Sequence, residues 1–234
     1  MNPLSPAAKA FVALMALTGV AALVYGFLHW RLDDPTQFAI WLAVAIAASL
    51  LKVRLPGVNG SMSVNLPFFL IVAAKLNIGE ALAIACISSL TQSLLRSSRR
   101  PAQMIFNAAT LTCAVWLAAV AFSVASQRQL LLPVAIAAAV AAYFLGNTIP
   151  VALILRLAEG KSVFSTWGRI LALTYPYYLL GASLAATVCG GQTNISWTIP
   201  LVLLVAMYFT YRSYRLYFAS AGSEPKSMAK GAGS

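Results

Sequence analysis

Acid–base chemistry near neutral pH rests, in this sequence, on six side chains: Asp33, Asp34, Glu80, Glu159, Glu224 and His29. The one place where carboxylates and an imidazole fall together is His29 with Asp33 and Asp34, a grouping that could pass a proton to or from water. Nothing around it completes a hydrolytic site. The chain has no G-x-S-x-G, no H-E-x-x-H, no glycine-rich phosphate loop and no carboxylate pair inside an apolar stretch. No catalytic residue is therefore assigned, and enzyme is the third-ranked reading. Cys86, Cys113 and Cys189 lie far apart without C-x-x-C spacing, which supports neither a disulfide framework nor a zinc site. A single histidine removes the usual histidine-rich metal cluster as well, so no metal ligand is expected and no motif names a cofactor. The thiols read as small side chains packed between helices.

Two groups could bind rather than react. Lys75 and Glu80 bracket Asn77-Ile78-Gly79, and a turn there would bring opposite charges together. Charges set among apolar residues are costly unless paired or watered, which points to a cavity; the other reading is an outer loop whose charges touch headgroups. With His29 and Arg31 they form a polar set expected on one side. The second group is Asn65, Gln92, Gln103 and Asn107, with Asn147 and Tyr175 deeper. These amides and the phenol either bond across helices, or Asn107, Asn147 and Tyr175 line a polar pocket between them. The candidate ligand-binding residues are thus Lys75, Glu80, Asn65, Asn107, Asn147, Tyr175 and His29.

The elements that must carry these residues follow from composition. The chain of 234 residues is 61% hydrophobic and 9% charged, against about 25% charged in soluble domains, so lipid is the better solvent for most of it. A spanning helix needs ~20 apolar residues. Eight windows qualify or nearly do: Ala10 to Leu28, Pro35 to Leu51, Ser61 to Ala74, Ala81 to Leu95, Ala102 to Gln127, Leu130 to Leu155, Ile170 to Val188 and Ile195 to Tyr211. The first ends in His29-Trp30-Arg31 and lacks a basic leader, so it reads as a retained span. The third and fourth are short, and form either two thin helices or a re-entrant hairpin.

The formal net charge of +11 raises nucleic acid as a partner, but no aromatic-basic stripe lies outside the apolar spans and none is expected. The basic residues sit instead in alternate connections. Lys9, Lys52, Arg54, Arg96, Arg99, Arg100, Arg156, Lys161, Arg169, Arg212, Arg215, Lys226 and Lys230 fall on one side, and only Arg31, Lys75 and Arg128 on the other. That asymmetry predicts both termini in the cytoplasm. Residues 1–217 are expected to form one transmembrane domain. Residues 218–234 are expected to be a disordered cytoplasmic tail, with Gly231 to Ser234 a cloning remnant.

The stretches Leu55-Pro56-Gly57 through Asn65-Leu66-Pro67-Phe68, Leu76-Asn77-Ile78-Gly79-Glu80-Ala81, and Arg100-Pro101-Ala102-Gln103-Met104-Ile105-Phe106-Asn107-Ala108-Ala109 resemble a recurrent bacterial pattern. It is the N-terminal multi-helix membrane region that precedes HD-GYP phosphodiesterase and GGDEF cyclase domains, and the resemblance covers about residues 35 to 217. Tyr211-Arg212-Ser213-Tyr214-Arg215-Leu216-Tyr217 is similar to the exit helix leading into such domains. No HD or GGDEF domain follows Tyr217 in this sequence, which is either a piece cut from a longer protein or a stand-alone relative, so the resemblance implies a membrane sensor or ligand-binding unit and assigns it no cyclic-dinucleotide chemistry. A fainter likeness, over Phe68 to Leu95, is to the S-components of energy-coupling-factor vitamin transporters. It would suit an outer site at His29, Lys75 and Glu80, although such proteins have six helices.

Together these readings predict an all-α polytopic transmembrane helical bundle of about eight membrane segments, multi-pass in a bacterial inner membrane. The expected partners are membrane lipid, a small or lipophilic ligand, and a membrane or cytoplasmic signalling partner. The leading function is a ligand-binding, sensor-like module; the alternative is the substrate-binding component of a small-molecule, vitamin-type transporter.

Overall fold

A computed structural model describes residues 5–56, 61–95, 101–191 and 198–222. Among these, eight helices and one short hairpin follow in order: α1 (Pro6–Leu28), α2 (Pro35–Leu50), β1 (Lys52–Arg54), β2 (Ser61–Ser63), α3 (Leu66–Lys75), α4 (Ile78–Leu94), α5 (Pro101–Gln127), α6 (Leu132–Glu159), α7 (Val163–Gly190) and α8 (Thr198–Gly222). Local chemistry sets several boundaries. The Asp34 carboxylate accepts from the Thr36 and Gln37 amides at 2.9 and 3.0 Å, with Pro35 opening α2, the pairing expected of an N-cap. Gly160 ends α6 at φ 71°, in the left-handed region that a Cβ disfavours.

Four helices, α1, α5, α6 and α7, are long and apolar enough to cross a membrane; α2, α3 and α4 are apolar but shorter. The chain is a helical membrane protein on that ground. Of the eight segments expected, with the third and fourth short, four are long and apolar enough to span by length and composition, and the third window is corrected in kind. Ser61 to Ser63 is strand, paired antiparallel with β1 in the register Lys52 with Ser63, Val53 with Met62 and Arg54 with Ser61. Helix begins only at Leu66. The all-α expectation holds apart from this hairpin. At the far end, α8 runs through Gly222, past the boundary expected at Tyr217; residues 223–234, with the expected remnant, lie outside the described residues.

α3 forms the centre of the bundle. Every residue from Leu66 to Ala73 is buried, because α2, α4, α5, α6 and α7 surround it. α8 closes the ring between α2 and α7, and α1 lies outside it against α4 and α5. A helix apolar on all its faces must be buried on all of them, and Pro67-Phe68-Phe69-Leu70-Ile71-Val72 leaves no polar face to turn outward. Conversely, Leu17, Val20, Val24, Phe27, Val202, Val205 and Phe209 are exposed on α1 and α8, as lipid-facing helices require.

The bundle has two chemically distinct ends. The Ser5 hydroxyl donates to the Leu157 carbonyl at 3.0 Å, tying the start of α1 to the end of α6. Leu55, next to the hairpin, clusters with Leu155 and Ile170, and Phe218 packs against that cluster. This end therefore collects Lys9, Lys52, Arg54, Arg156, Lys161, Arg169, Arg212 and Arg215, together with the start of α1 and the end of α8. At the other end Gly79 meets Gly26 and Trp30, Gly190 meets Leu132, and Lys75 lies near Cys189.

A close approach fixes the α1–α4 contact. A Cβ on Gly79 would fall 2.5 Å from the Gly26 carbonyl oxygen and 3.0 Å from the Trp30 ring, whereas one on Gly168, inside α7, would meet nothing within 4 Å. Gly79→Ala should therefore destabilise the fold by about 1–3 kcal/mol. Gly168→Ala should stabilise it by up to about 1 kcal/mol through helix propensity. Thermal unfolding of the two variants in detergent should show shifts of opposite sign.

Candidate functional site

A set of buried and half-buried polar groups surrounds the break between the hairpin and α3. The backbone leaves β2 at Ser63 and enters α3 at Leu66, and its polar groups there have no helical partners. Tyr177, fully buried in the middle of α7, supplies two of them. Its hydroxyl accepts from the Leu66 amide at 2.7 Å and donates to the Ser63 carbonyl at 3.2 Å. On the opposite side the Gln92 amide of α4 donates to the Ser63 hydroxyl at 2.7 Å and to the Ser49 carbonyl at the end of α2. The Ser49 hydroxyl donates to the Ile46 carbonyl at 2.8 Å and reaches the Ser88 carbonyl at 3.3 Å. The break is thus held between α2, α4 and α7 by side chains matched to it.

The aromatic neighbours of Tyr177 extend this site. Tyr143, Phe144 and Tyr177 each pack edge-on or tilted against Tyr178, with ring centroids 4.9 to 6.3 Å apart. Asn147 of α6 turns its amide to the Tyr178 hydroxyl. Next to Asn147, the Thr148 hydroxyl accepts from the Trp167 indole at 3.0 Å.

The candidate residues are spread by the structure over three places. Asn65 is buried at the hairpin–α3 junction, as N-cap of α3 without a side-chain capping bond. Asn147 lies in the aromatic layer, but Tyr175 does not join it; its side chain is 53% exposed on the outside of α7. Asn107 is half-buried and Gln103 exposed on α5, so Asn107, Asn147 and Tyr175 do not line one pocket. The phenols at depth are Tyr143, Tyr177 and Tyr178. A helical register places Tyr177 and Tyr178 on the face of Thr174 and Gly181, and Tyr175 off it; that periodicity was the available signal.

Lys75, Glu80 and His29 share the other end, yet they do not form the expected ion-paired turn. Glu80 is only 3% exposed and its carboxylate accepts from the Asn77 amide at 3.1 Å, while the Asn77 side chain accepts from the Gly79 amide at 2.9 Å. This reciprocal capping box starts α4. Lys75 is exposed, and Lys161 pairs with Glu159 at 2.7 Å at the opposite end of the bundle. Asp33 and Asp34 lie near enough to Glu80 to repel it, and the Asn77 amide is the group its carboxylate accepts from. His29 stacks on Tyr25 at 4.3 Å and its Nδ1 lies 2.8 Å from the Tyr25 carbonyl. That contact ties Nδ1 to its own helix, and one carboxylate oxygen of Asp34 caps α2. Among the described residues no group of three or more His, Cys, Asp or Glu side chains is placed to hold a metal ion.

A third polar feature was not anticipated. At the basic end a groove of about 430 Å³ opens between β1 and α8, lined by Lys52, Arg54, Leu55, Pro56, Tyr211, Arg215 and Phe218, with Val53 at its base. No family model matches the chain, and comparison with curated proteins and with solved structures finds no match either.

Tyr177→Phe keeps the ring and leaves the Leu66 amide without its partner, which should cost about 1–3 kcal/mol. The loss should appear as a lower unfolding temperature and faster hydrogen exchange across residues 61–68, with exchange in α6 unchanged. Glu80→Gln preserves the capping geometry and should leave the unfolding temperature within a degree or two, whereas Glu80→Ala should lower stability by about 1 kcal/mol.

Proposed function

We propose that the chain is a multi-pass bacterial inner-membrane module that binds a small or lipophilic molecule and signals through its last helix. Both termini are assigned to the cytoplasm, on the strength of the basic end described above. One observation carries the reading: a buried half-helix and the last helix share a single lever. α3 is 10 residues long, about 15 Å, and it continues directly into the hairpin, whose flank at Leu55 belongs to the cluster that Phe218 of α8 packs against. A ligand that shifts α3 must therefore move β1, and with it α8. The polar groups that hold the break could also be satisfied by a ligand or in a shifted register, which is what a two-state element needs.

The transporter reading has one feature in its favour. Half-helices at membrane depth often line substrate sites, and α3 is such a segment. A flux measurement separates the two. Purified protein in proteoliposomes should show no net uptake of candidate solutes; robust uptake by this chain alone would reject the sensor reading in favour of transport. The orientation is checked separately with Ser5→Cys and Ser220→Cys in a chain lacking its native cysteines. Both sites should react with an impermeant maleimide in inverted vesicles and neither in spheroplasts.

A further inference from the structure

Two of the long helices carry the same kind of weak turn at the same depth. Thr148-Ile149-Pro150 lies inside α6 and Thr174-Tyr175-Pro176 inside α7. A proline has no amide hydrogen, so the Gly146 and Ala172 carbonyls each lose their helical donor, and the ring crowds the same carbonyl. Both threonines are buried, and each hydroxyl donates at 2.7 Å to the carbonyl four residues back, Thr148 to Phe144 and Thr174 to Ile170. A threonine bonded in this way loosens its turn and favours a bend. Across the antiparallel pair Phe144 meets Tyr178 and Leu132 lies against Gly190. Gly146 therefore stands level with Pro176, and Pro150 with Ala172. The two weak turns are side by side, and the Trp167 indole of α7 joins them by donating to Thr148 at 3.0 Å.

Packing changes across that line. On the side away from the basic end, Ile136, Ala139, Tyr143, Tyr177 and Ala185 bind the two helices into the main core. On the basic side Leu155 and Ile170 belong instead to a separate, smaller cluster with Leu55. Parts of a fold held by few buried apolar contacts move at less cost than its core. We propose that the paired Thr-x-Pro turns form one hinge, about which the basic-end halves of α6 and α7, residues 151–171, swing as a unit against the rest of the bundle. Tyr177 follows Pro176 directly, and Tyr214 of α8 turns its hydroxyl to the Tyr177 backbone. A bend at this level thus reaches both the hairpin–α3 break and α8. The hinge stands on the helix pair alone and does not need the sensor reading.

The test places two spin labels at a time in the full chain, freed of its native cysteines, and reads distance distributions in nanodiscs by pulsed dipolar spectroscopy. Leu94→Cys with Gly168→Cys crosses the hinge, and Leu94→Cys with Leu179→Cys stays on the anchored side. Leu94 and Leu179 are exposed, and a Cβ on Gly168 meets nothing within 4 Å, so the labels disturb no packing. The crossing pair should give a distribution broader than that of the control pair, or divided in two. Pro150→Ala with Pro176→Ala should narrow it to the control width. Either alanine alone should do the same, because one stiffened helix restrains its bonded neighbour. The single variants also keep the test decisive where the double one misfolds, with helix content by circular dichroism as the check. A wild-type crossing pair as narrow as the control, its mean merely shifted by the alanines, would identify a rigid bend and overturn the hinge. So would a broad distribution that a folded double variant leaves unchanged. Narrowing in the double variant but in neither single one would overturn the claim that the two turns act as one.

Discussion

Inside an apolar bundle a peptide group has no water to fall back on, so each break in helical hydrogen bonding must be met by a side chain or by another strand. The chain between α2 and α3 is the severe case. It leaves one helix at Leu50, reverses through a two-stranded ladder, and enters another at Leu66, where a phenol on α7 and an amide on α4 take up its loose groups. Tyr177 is therefore central to the architecture: it allows a fully buried half-helix to exist, and that half-helix gives five other helices a common surface to pack on. The buried aromatic layer from Tyr143 to Tyr178 sits where it does because Tyr177 is anchored to the break.

The apolar composition made the helical membrane class legible, and α1, α5, α6 and α7 fall where long uncharged runs said they would. The chemistry of the middle region was harder to read. Ser61 to Ala74 looks like one short span because its residues are apolar or small, and hydropathy carries no information about whether such a run is strand or helix. The alternation of Lys52, Val53, Arg54 and Leu55 was the signal for an edge strand, and Pro67 marked where helix could start. Glu80 was found by its rarity, but rarity does not distinguish a ligand from a cap; the Asn77-x-x-Glu80 spacing does. Tyr175 differs from its neighbours Tyr177 and Tyr178 in helical phase, which is why it alone of the three faces outward.

The two ends of the bundle divide the electrostatic labour. One end holds Asp34 and Glu80 in caps, where backbone amides stabilise them locally, and leaves Lys75 and His29 to solvent or to their own helix. The other end concentrates arginine and lysine on the hairpin, on α6, α7 and α8, with little acid to offset them. That separation is a consequence of which residues can reach which helix termini, and it gives the molecule a direction in an electrically asymmetric bilayer.

Unequal helix lengths have a mechanical consequence for the surrounding lipid. α2 and α4 pack together with 16 and 17 residues, whereas α6 and α7 pack together across the ring with 28 each. At ~1.5 Å per residue the first pair stands about 25 Å tall and the second about 42 Å. A bilayer with a hydrocarbon slab near 30 Å cannot match both flanks at once. The lipid must thin beside the low flank, or the whole body must lean until the tall helices lie oblique. Membrane thickness therefore acts as a lateral force on this protein, and a change in acyl-chain length alone would alter its inclination.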